Sequence, residues 1–487
     1  MRTLCAVAVA LALQACAAMP KVGPDYQPPQ LALPETWQAP ASRLPHGGGV
    51  TELKQWWARW EDPAMLRLID AAQAHSPTLP LAAARIARAQ ADAVAAGAAS
   101  QPQVDGNLAA KRAAFSMGGP LIHQTTRQAG LMANWEVDLF GGLARGQEAA
   151  QASLEAASAR WHEARVSLAA ETAHAYLQLR LLERRLAQAE ADARSRLETA
   201  RVTRTLGEAG LQAPAQVAQA EASAAEARSI LLETRAQREM QIKALVALTG
   251  MEEGSLRSLL AEGSGRFPAA AQFGIEAIPA RVLAQRPDLA AAERDLAAAS
   301  AAIGQAEAAR YPRLQLAGSI TPLRLTTDGT PLRATTWSIG PSLTLPLLDG
   351  GRARANADAA RAQYAAAEAT YRQKARDAVR EVEQALIRLS AASDRESAVR
   401  MAADRYQRSF TATETRHRAG LASLLELEDS RRVWVGADLT LAAWQQEEVA
   451  AWIALYRAVG GGWEAPPDGP AYSTHQPASQ PLPTSTP

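Results

Sequence analysis

Leu182, Leu186, Ala189 and Ala193 follow one another at intervals of 4, 3 and 4 residues, and Val399, Ala403, Tyr406 and Phe410 repeat those intervals. This spacing keeps apolar side chains on one stripe of a helix and predicts long helices packed side by side in coiled-coil fashion. Elsewhere the period drops to two. Trp135, Val137 and Leu139 alternate with Asn134, Glu136 and Asp138, as in a strand whose two faces meet unlike surroundings. Alternating segments occur as VDGNLAAKR and QAGLMANWEVDLF early in the chain, and as LQLAGSI and WSIGPSLTLPL later.

The whole arrangement occurs twice. HSPTLPLAAARIARAQADAVAAGAASQPQV, from His75, is echoed by QRPDLAAAERDLAAASAAIGQAEAARYPRL, from Gln285. Pro77, Leu79 and Pro102 correspond to Pro287, Leu289 and Pro312, each 210 positions apart. Glu171, Leu179 and Gly210 match Glu381, Leu389 and Gly420 at the same offset, and Gly141-Gly142 meets Gly350-Gly351 at 209. The period is far too long for a solenoid and reads as duplication of a whole half, 75–250 and 285–460. Each half is predicted to begin with a helix, 77–100 or 287–310, opened and closed by proline. Two strands follow, then Gly-Gly and a very long helix, 143–206 or 352–418. A glycine-containing turn leads to a last helix, 211–249 or 421–459. At 1.5 Å per residue the long helix would run about 95 Å.

The fold class is therefore α+β, mostly long helices, with an internal two-fold duplication and four strands per chain. Four strands are too few to close a barrel, and an open sheet exposes its edges. A membrane does not tolerate unpaired edges, so closure must involve other copies. Three copies would supply twelve strands, and strands of about 10 residues suit a bilayer.

Composition sharpens this picture. Hydrophobic residues reach 48% with only 5% aromatic, and the difference is largely alanine, the best helix former. Lys and Arg number 51 against 50 Asp and Glu, which leaves no electrostatic footprint for nucleic acid. Arg2 precedes the apolar run LCAVAVALAL, too short to span a bilayer and of signal-peptide proportions, so 1–15 is assigned as a signal peptide. LQAC ends at Cys16 and resembles a bacterial lipobox, in which the cysteine is lipidated and becomes the first mature residue. Ala17, rather than aspartate, after it favours the outer membrane. The other cysteine, Cys5, lies within the signal, so the mature chain has no second thiol for a disulfide or thiolate metal site. No other segment is a candidate transmembrane helix.

No catalytic constellation emerges. WHEARV at Trp161 starts like a zinc-binding HExxH motif but carries Val166 where the second histidine belongs. GGLARG lacks the GxGxxG spacing. The expectation is no enzyme, no metal and no cofactor.

Taken in order, VGPDYQPP, WWARWEDPAMLRLIDAA, NWEVDLFGGLAR, LAQRPDLAAAERDLAAASAAIGQAEAARYPRL, PLLDGGRARAN and LYRAVGGGW resemble the outer membrane efflux protein family, specifically its lipoprotein branch. The resemblance covers nearly the whole mature chain. It implies a homotrimer forming a 12-stranded outer-membrane β-barrel, continued by a periplasmic α-helical barrel with an equatorial collar. Segments outside the repeats would supply the collar: 16–74, the 251–284 linker, and C-terminal residues before a flexible 461–487 tail. It further implies a passive exit duct for small molecules, partnered by a periplasmic adaptor and an inner-membrane RND-type transporter. By the same resemblance the turns TRTLGEAGLQAPAQVAQAE and RHRAGLASLLELEDSRR form the periplasmic tip. Gate positions fall on Leu425, Asp429 and Arg432, and adaptor contacts on Arg204, Gly210, Arg418 and Gly420. Glu428 stands where the family usually has an apolar residue, and Gln216 where aspartate is common. Two alternatives remain: a channel for protein secretion, and a lipid-anchored coiled-coil structural protein. The strands around Trp135 and Trp337 weigh against the second.

Overall fold

Local chemistry fixes where the helices start. Asp62 accepts hydrogen bonds from the Ala64 and Met65 amides, both at 3.0 Å, and Pro63 occupies the first turn; such an acceptor satisfies amides that have no intrahelical partner. The computed structural model describes residues 21–29, 37–39, 53, 55–116, 118–119, 121–269, 272–273 and 283–463. The signal peptide, Cys16 and the tail beyond 463 lie outside the described residues. In chain order the elements are α1 (Pro63–His75), α2 (Thr78–Ala98), β1 (Gln103–Phe115), β2 (Ile122–Val137), α3 (Gly142–Glu208) and α4 (Pro214–Thr249). They continue with α5 (Glu253–Ala261), α6 (Pro287–Ala308), β3 (Arg313–Thr327), β4 (Thr330–Thr344), α7 (Arg352–Arg418) and α8 (Leu424–Ala458).

The two long helices, α3 and α7, each have 67 residues, about 100 Å at the helical rise. In each half the two shorter helices meet end to end alongside the long one. Leu79, opening α2, packs with Leu168 of α3 and with Leu248, near the end of α4. In the second half Arg286 lies between α8 and α6. Its Nη1 donates to the Ala458 carbonyl at 2.8 Å, and its Nη2 pairs with Asp288 at 2.7 Å and Glu381 at 2.8 Å. The cation answers the free carbonyls closing α8, and Asp288 suits the positive end of α6.

The largest core lies at the middle of the long helices. Trp56 stacks on Tyr456 with ring centroids 4.5 Å apart, over Tyr176, Leu177 and Leu179 of α3 and Val382 and Leu386 of α7. Met65 and Leu68 of α1 and Leu256 and Leu260 of α5 bury themselves in the same cluster. Tyr176 donates to Asp62 at 2.6 Å. Arg180, fully buried, pairs with Glu183 at 2.7 Å and donates to the Leu260 and Glu262 carbonyls at 2.9 and 2.8 Å. Both α1 and α5, which flank the first repeat, thus grip the helices at mid-length.

The four strands form one antiparallel sheet in the order β1-β2-β3-β4, so β2 and β3 join the two halves and β1 and β4 are open edges. They have 13, 16, 15 and 15 residues, longer than the segments legible in the sequence. The additions, such as HQTTR and TPLRATT, are polar or contain proline and so lack the alternation of an apolar face. The register places Leu108, Leu131, Leu316, Ile320, Trp337, Ile339 and Leu343 on one face. Trp337 is 74% exposed there. Gln103, Asp105, Asn107, Asn134, Glu136, Gln315, Ser319 and Ser338 occupy the other face. Apolar outside and polar inside is the arrangement of a membrane barrel wall. Among the described residues, no helix is long and apolar enough to cross a membrane.

Candidate functional site

The ends of the long helices farthest from the sheet are built alike in both halves. After α3, Gly210 takes a φ of +71° and donates to the Gly207 carbonyl at 3.0 Å, while the Leu211 amide reaches the Leu206 carbonyl at 2.8 Å. After α7, Gly420 (φ +73°) donates to His417 at 2.9 Å and Leu421 to Arg416 at 2.8 Å. This left-handed closure pairs carbonyls that a helix end leaves free, and glycine adopts it without a Cβ penalty. Nothing lies within 4 Å of a Cβ built on Gly420, so backbone strain alone would tell there. Gly420→Ala is expected to cost about 1 kcal/mol, read as faster amide exchange confined to this turn; unchanged exchange would refute the strain.

The two turns then diverge. Pro214 opens α4, whereas α8 opens on a reciprocal cap: Ser423 Oγ accepts from the Glu426 amide at 3.2 Å and the Ser423 amide donates to Glu426 at 2.7 Å. The Ser423 amide, then its hydroxyl, hold the Glu426 carboxyl below its ordinary range. His417 Nδ1 lies 2.9 Å from the Ala422 carbonyl, and Arg416 donates to that of Leu421 at 3.1 Å. The second turn is therefore fastened by side chains as well as backbone.

The seven tip residues singled out from the sequence fall into two groups. Arg204 and Gly210 sit at the first turn, and Arg418 and Gly420 at the second. Both arginines are engaged within their own hairpins, Arg204 with Glu221 at 2.7 Å and Arg418 with Glu414 at 2.9 Å. Leu425, Asp429 and Arg432 share one exposed face of α8, with Arg432 and Asp429 paired at 2.5 Å. Leu424 and Leu427, beside them in sequence, turn inward and are buried; Leu424 packs on Ala200 and Ala220.

A second ionic group at this level was not legible in the sequence. Arg431 is only 2% exposed; it pairs with Glu428 at 2.5 Å, donates to Ser195 at 2.7 Å and sits over the Phe410 ring. Glu428 accepts from Ser223 at 3.1 Å, and Ser223 accepts from Arg196 at 3.1 Å. Arg196 contacts Asp192 at 3.0 Å. Two arginines and two carboxylates thus stitch α8 to α3 and α4, 236 positions apart in sequence between Arg431 and Ser195. The only hint was the carboxylate at Glu428, where an apolar residue was expected. Among the described residues, no cluster of His, Cys, Asp or Glu is placed to hold a metal ion.

Comparison with known proteins agrees with this architecture. The family described as outer membrane efflux protein matches residues 68–251 and again 278–461. Nodulation protein T of Rhizobium leguminosarum bv. viciae is 31% identical over 95% of this chain and 94% of its own length. The pyoverdine export outer membrane protein OpmQ of Pseudomonas putida is 30% identical over 95% of this chain and 98% of its own. The structure of the outer-membrane channel OprN superimposes with a TM-score of 0.78 at 29% identity, covering 91% of this chain and 99% of that one.

Proposed function

This chain belongs to the outer membrane efflux protein family, and on that premise we propose how its parts act as a duct. It is an outer-membrane channel of a tripartite efflux pump, and its family and fold are those of channels rather than enzymes. Three copies close the open edges of β1 and β4 into a twelve-stranded barrel, because unpaired strand edges are not tolerated in hydrocarbon. The apolar face of the sheet, with Trp337 and Ile339 mostly exposed in one chain, then meets lipid, and the polar face lines the lumen. The observation that carries this reading is a sheet with one apolar exposed face and two free edges, mounted on helices of about 100 Å. Lipid on Cys16 anchors the N-terminus in the outer membrane.

The helix ends form the periplasmic gate and docking tip. Three copies of Leu425 make an apolar constriction, and the exposed Asp429 and Arg432 exchange partners between copies to hold it shut. Arg204, Gly210, Arg418 and Gly420 meet a periplasmic adaptor, which couples the duct to an inner-membrane transporter of the RND type. The duct carries small molecules passively, so it needs no cofactor of its own. Arg204 and Arg418 offer forked donors suited to carboxylates or carbonyls on such a partner.

Planar-bilayer recording tests the gate. Asp429→Ala and Arg432→Ala are each expected to raise single-channel conductance of the purified protein, although the pair within one helix is worth only a few tenths of a kcal/mol. Wild-type conductance in both variants would remove these residues from the latch. Light scattering of the detergent-extracted protein should give the mass of three chains; a monomer would sink the closed barrel.

A further inference from the structure

The exposed apolar face of the sheet ends in a row of arginines. The register sets Arg127 opposite Arg324, and Arg324 opposite Arg333, so three guanidinium groups lie side by side across three strands on that face. Arg112, two residues beyond Ala110 on β1, extends the basic band, since Ala110 is the cross-strand partner of Arg127. Strand residues on this face include no aspartate or glutamate. Arg127, Arg324 and Arg333 are exposed, line one depression of the sheet, and have no ion pair or hydrogen bond among the described residues. Like charges placed directly opposite one another across strands are unfavourable, so the row asks for an anion that can reach several arginines at once.

Its height says where that anion comes from. From Leu343, near the helical end of β4, to Arg333 is 10 residues, or about 34 Å along a strand. Tilted by about 40°, that is about 25 Å of height, the depth of the apolar band on a membrane barrel. The side chains between are Trp337, Ile339, Pro341 and Thr335, so the arginines stand at the upper boundary of the hydrocarbon, on the side away from the helices.

We propose that Arg127, Arg324 and Arg333 bind the phosphate groups of an acylated, phosphorylated glycolipid of the outer leaflet, with its chains lying on Leu108, Leu131, Ile320 and Trp337. Planar guanidinium forks suit phosphate oxygens, and a lipid satisfies the charged row and the apolar face beneath it together. The inference rests on the proposed orientation, with the barrel in the outer membrane and the helices in the periplasm.

Native mass spectrometry of the full-length trimer in a neutral detergent tests it, with diphosphoryl lipid A and the same glycolipid stripped of phosphate as probes. The wild type is expected to prefer the phosphorylated form by about tenfold or more, as several charge-assisted bonds require. Inorganic phosphate at millimolar concentration should not displace it. The triple variant R127Q/R324Q/R333Q should bind both forms alike while keeping its trimer mass and channel activity. Should that variant fail to assemble, Arg324→Gln alone removes the middle charge and is expected to lower the preference several-fold. Equal binding of the two lipids by the wild type, an undiminished preference in the variants, or displacement by free phosphate would each overturn the site. A wild type that forms no trimer and inserts in no bilayer would instead overturn the barrel on which the site depends.

Discussion

Arg286→Ala is expected to lower the stability of the second half by about 3–5 kcal/mol, the range for breaking a buried, hydrogen-bonded ion pair by removing one partner. Arg286 is buried, and three elements lose their link when it goes: the Ala458 carbonyl closing α8, Asp288 opening α6, and Glu381 on α7. Asp288, half-buried, then keeps only the more distant charge of Lys374. The readout is the thermal midpoint of the trimer by circular dichroism, with a fall of several degrees expected. A midpoint within about 1 °C of the wild type would show that the two helices stack without this cation.

The same pair carries a pH dependence whose sign can be worked out. Burial pushes the Asp288 carboxyl up, but the hydrogen bond and charge of Arg286, joined by the charge of Lys374 and the Leu289 amide, outweigh burial and leave it below its ordinary value. A carboxyl depressed in the folded state stabilises fully above the unfolded value of about 3.9, and that contribution is lost as pH falls through the lower, folded value. Asp288→Asn should therefore narrow its stability gap to the wild type as pH drops through the acid range. A gap independent of pH would contradict the linkage.

Arg431→Ala is expected to loosen the tip more than either exposed gate substitution. Removing the buried guanidinium leaves Glu428 with only Ser223 and the longer contact to Arg196 at 4.0 Å, and weakens the ties of α8 to Ser195 and Asp192 of α3, again by about 3–5 kcal/mol. The Asp429–Arg432 pair, exposed to solvent on both sides, is screened by water and salt and has far less to lose. Hydrogen exchange at the start of α8 and conductance in planar bilayers should both rise. Replacing Arg431 and Glu428 together with Met and Leu should restore protection, since a well-packed apolar pair can equal a buried ionic one. If Arg431→Ala leaves exchange at α8 unchanged, packing around Leu424 and Leu427 alone holds the hairpin.

Much of this architecture can be read without coordinates. The offset of 210 between Pro77 and Pro287, or Gly210 and Gly420, betrays the duplication because helix starts and left-handed turns need particular residues wherever they recur. The long helices follow from heptad spacing and alanine, and the strands near Trp135 and Trp337 from alternation. All of these are local signals, written within one turn or one pleat. The full strand lengths were hidden, since Pro322 and Pro331 interrupt the pattern that strand reading relies on, yet the sheet extends through both.

The sequence by itself determined the repeat, the order of helices and strands, and the glycines that turn the chain at the tip. Only the tertiary structure decided which charges meet: Arg286 with the end of α8, Arg431 with Ser195, and Arg127 in line with Arg324 and Arg333. Those partners lie on different elements, and a one-residue change of register would send a strand's side chains to the opposite face. Period and propensity act between near neighbours along the chain, whereas a buried ion pair exists only once packing has brought distant helices or strands together.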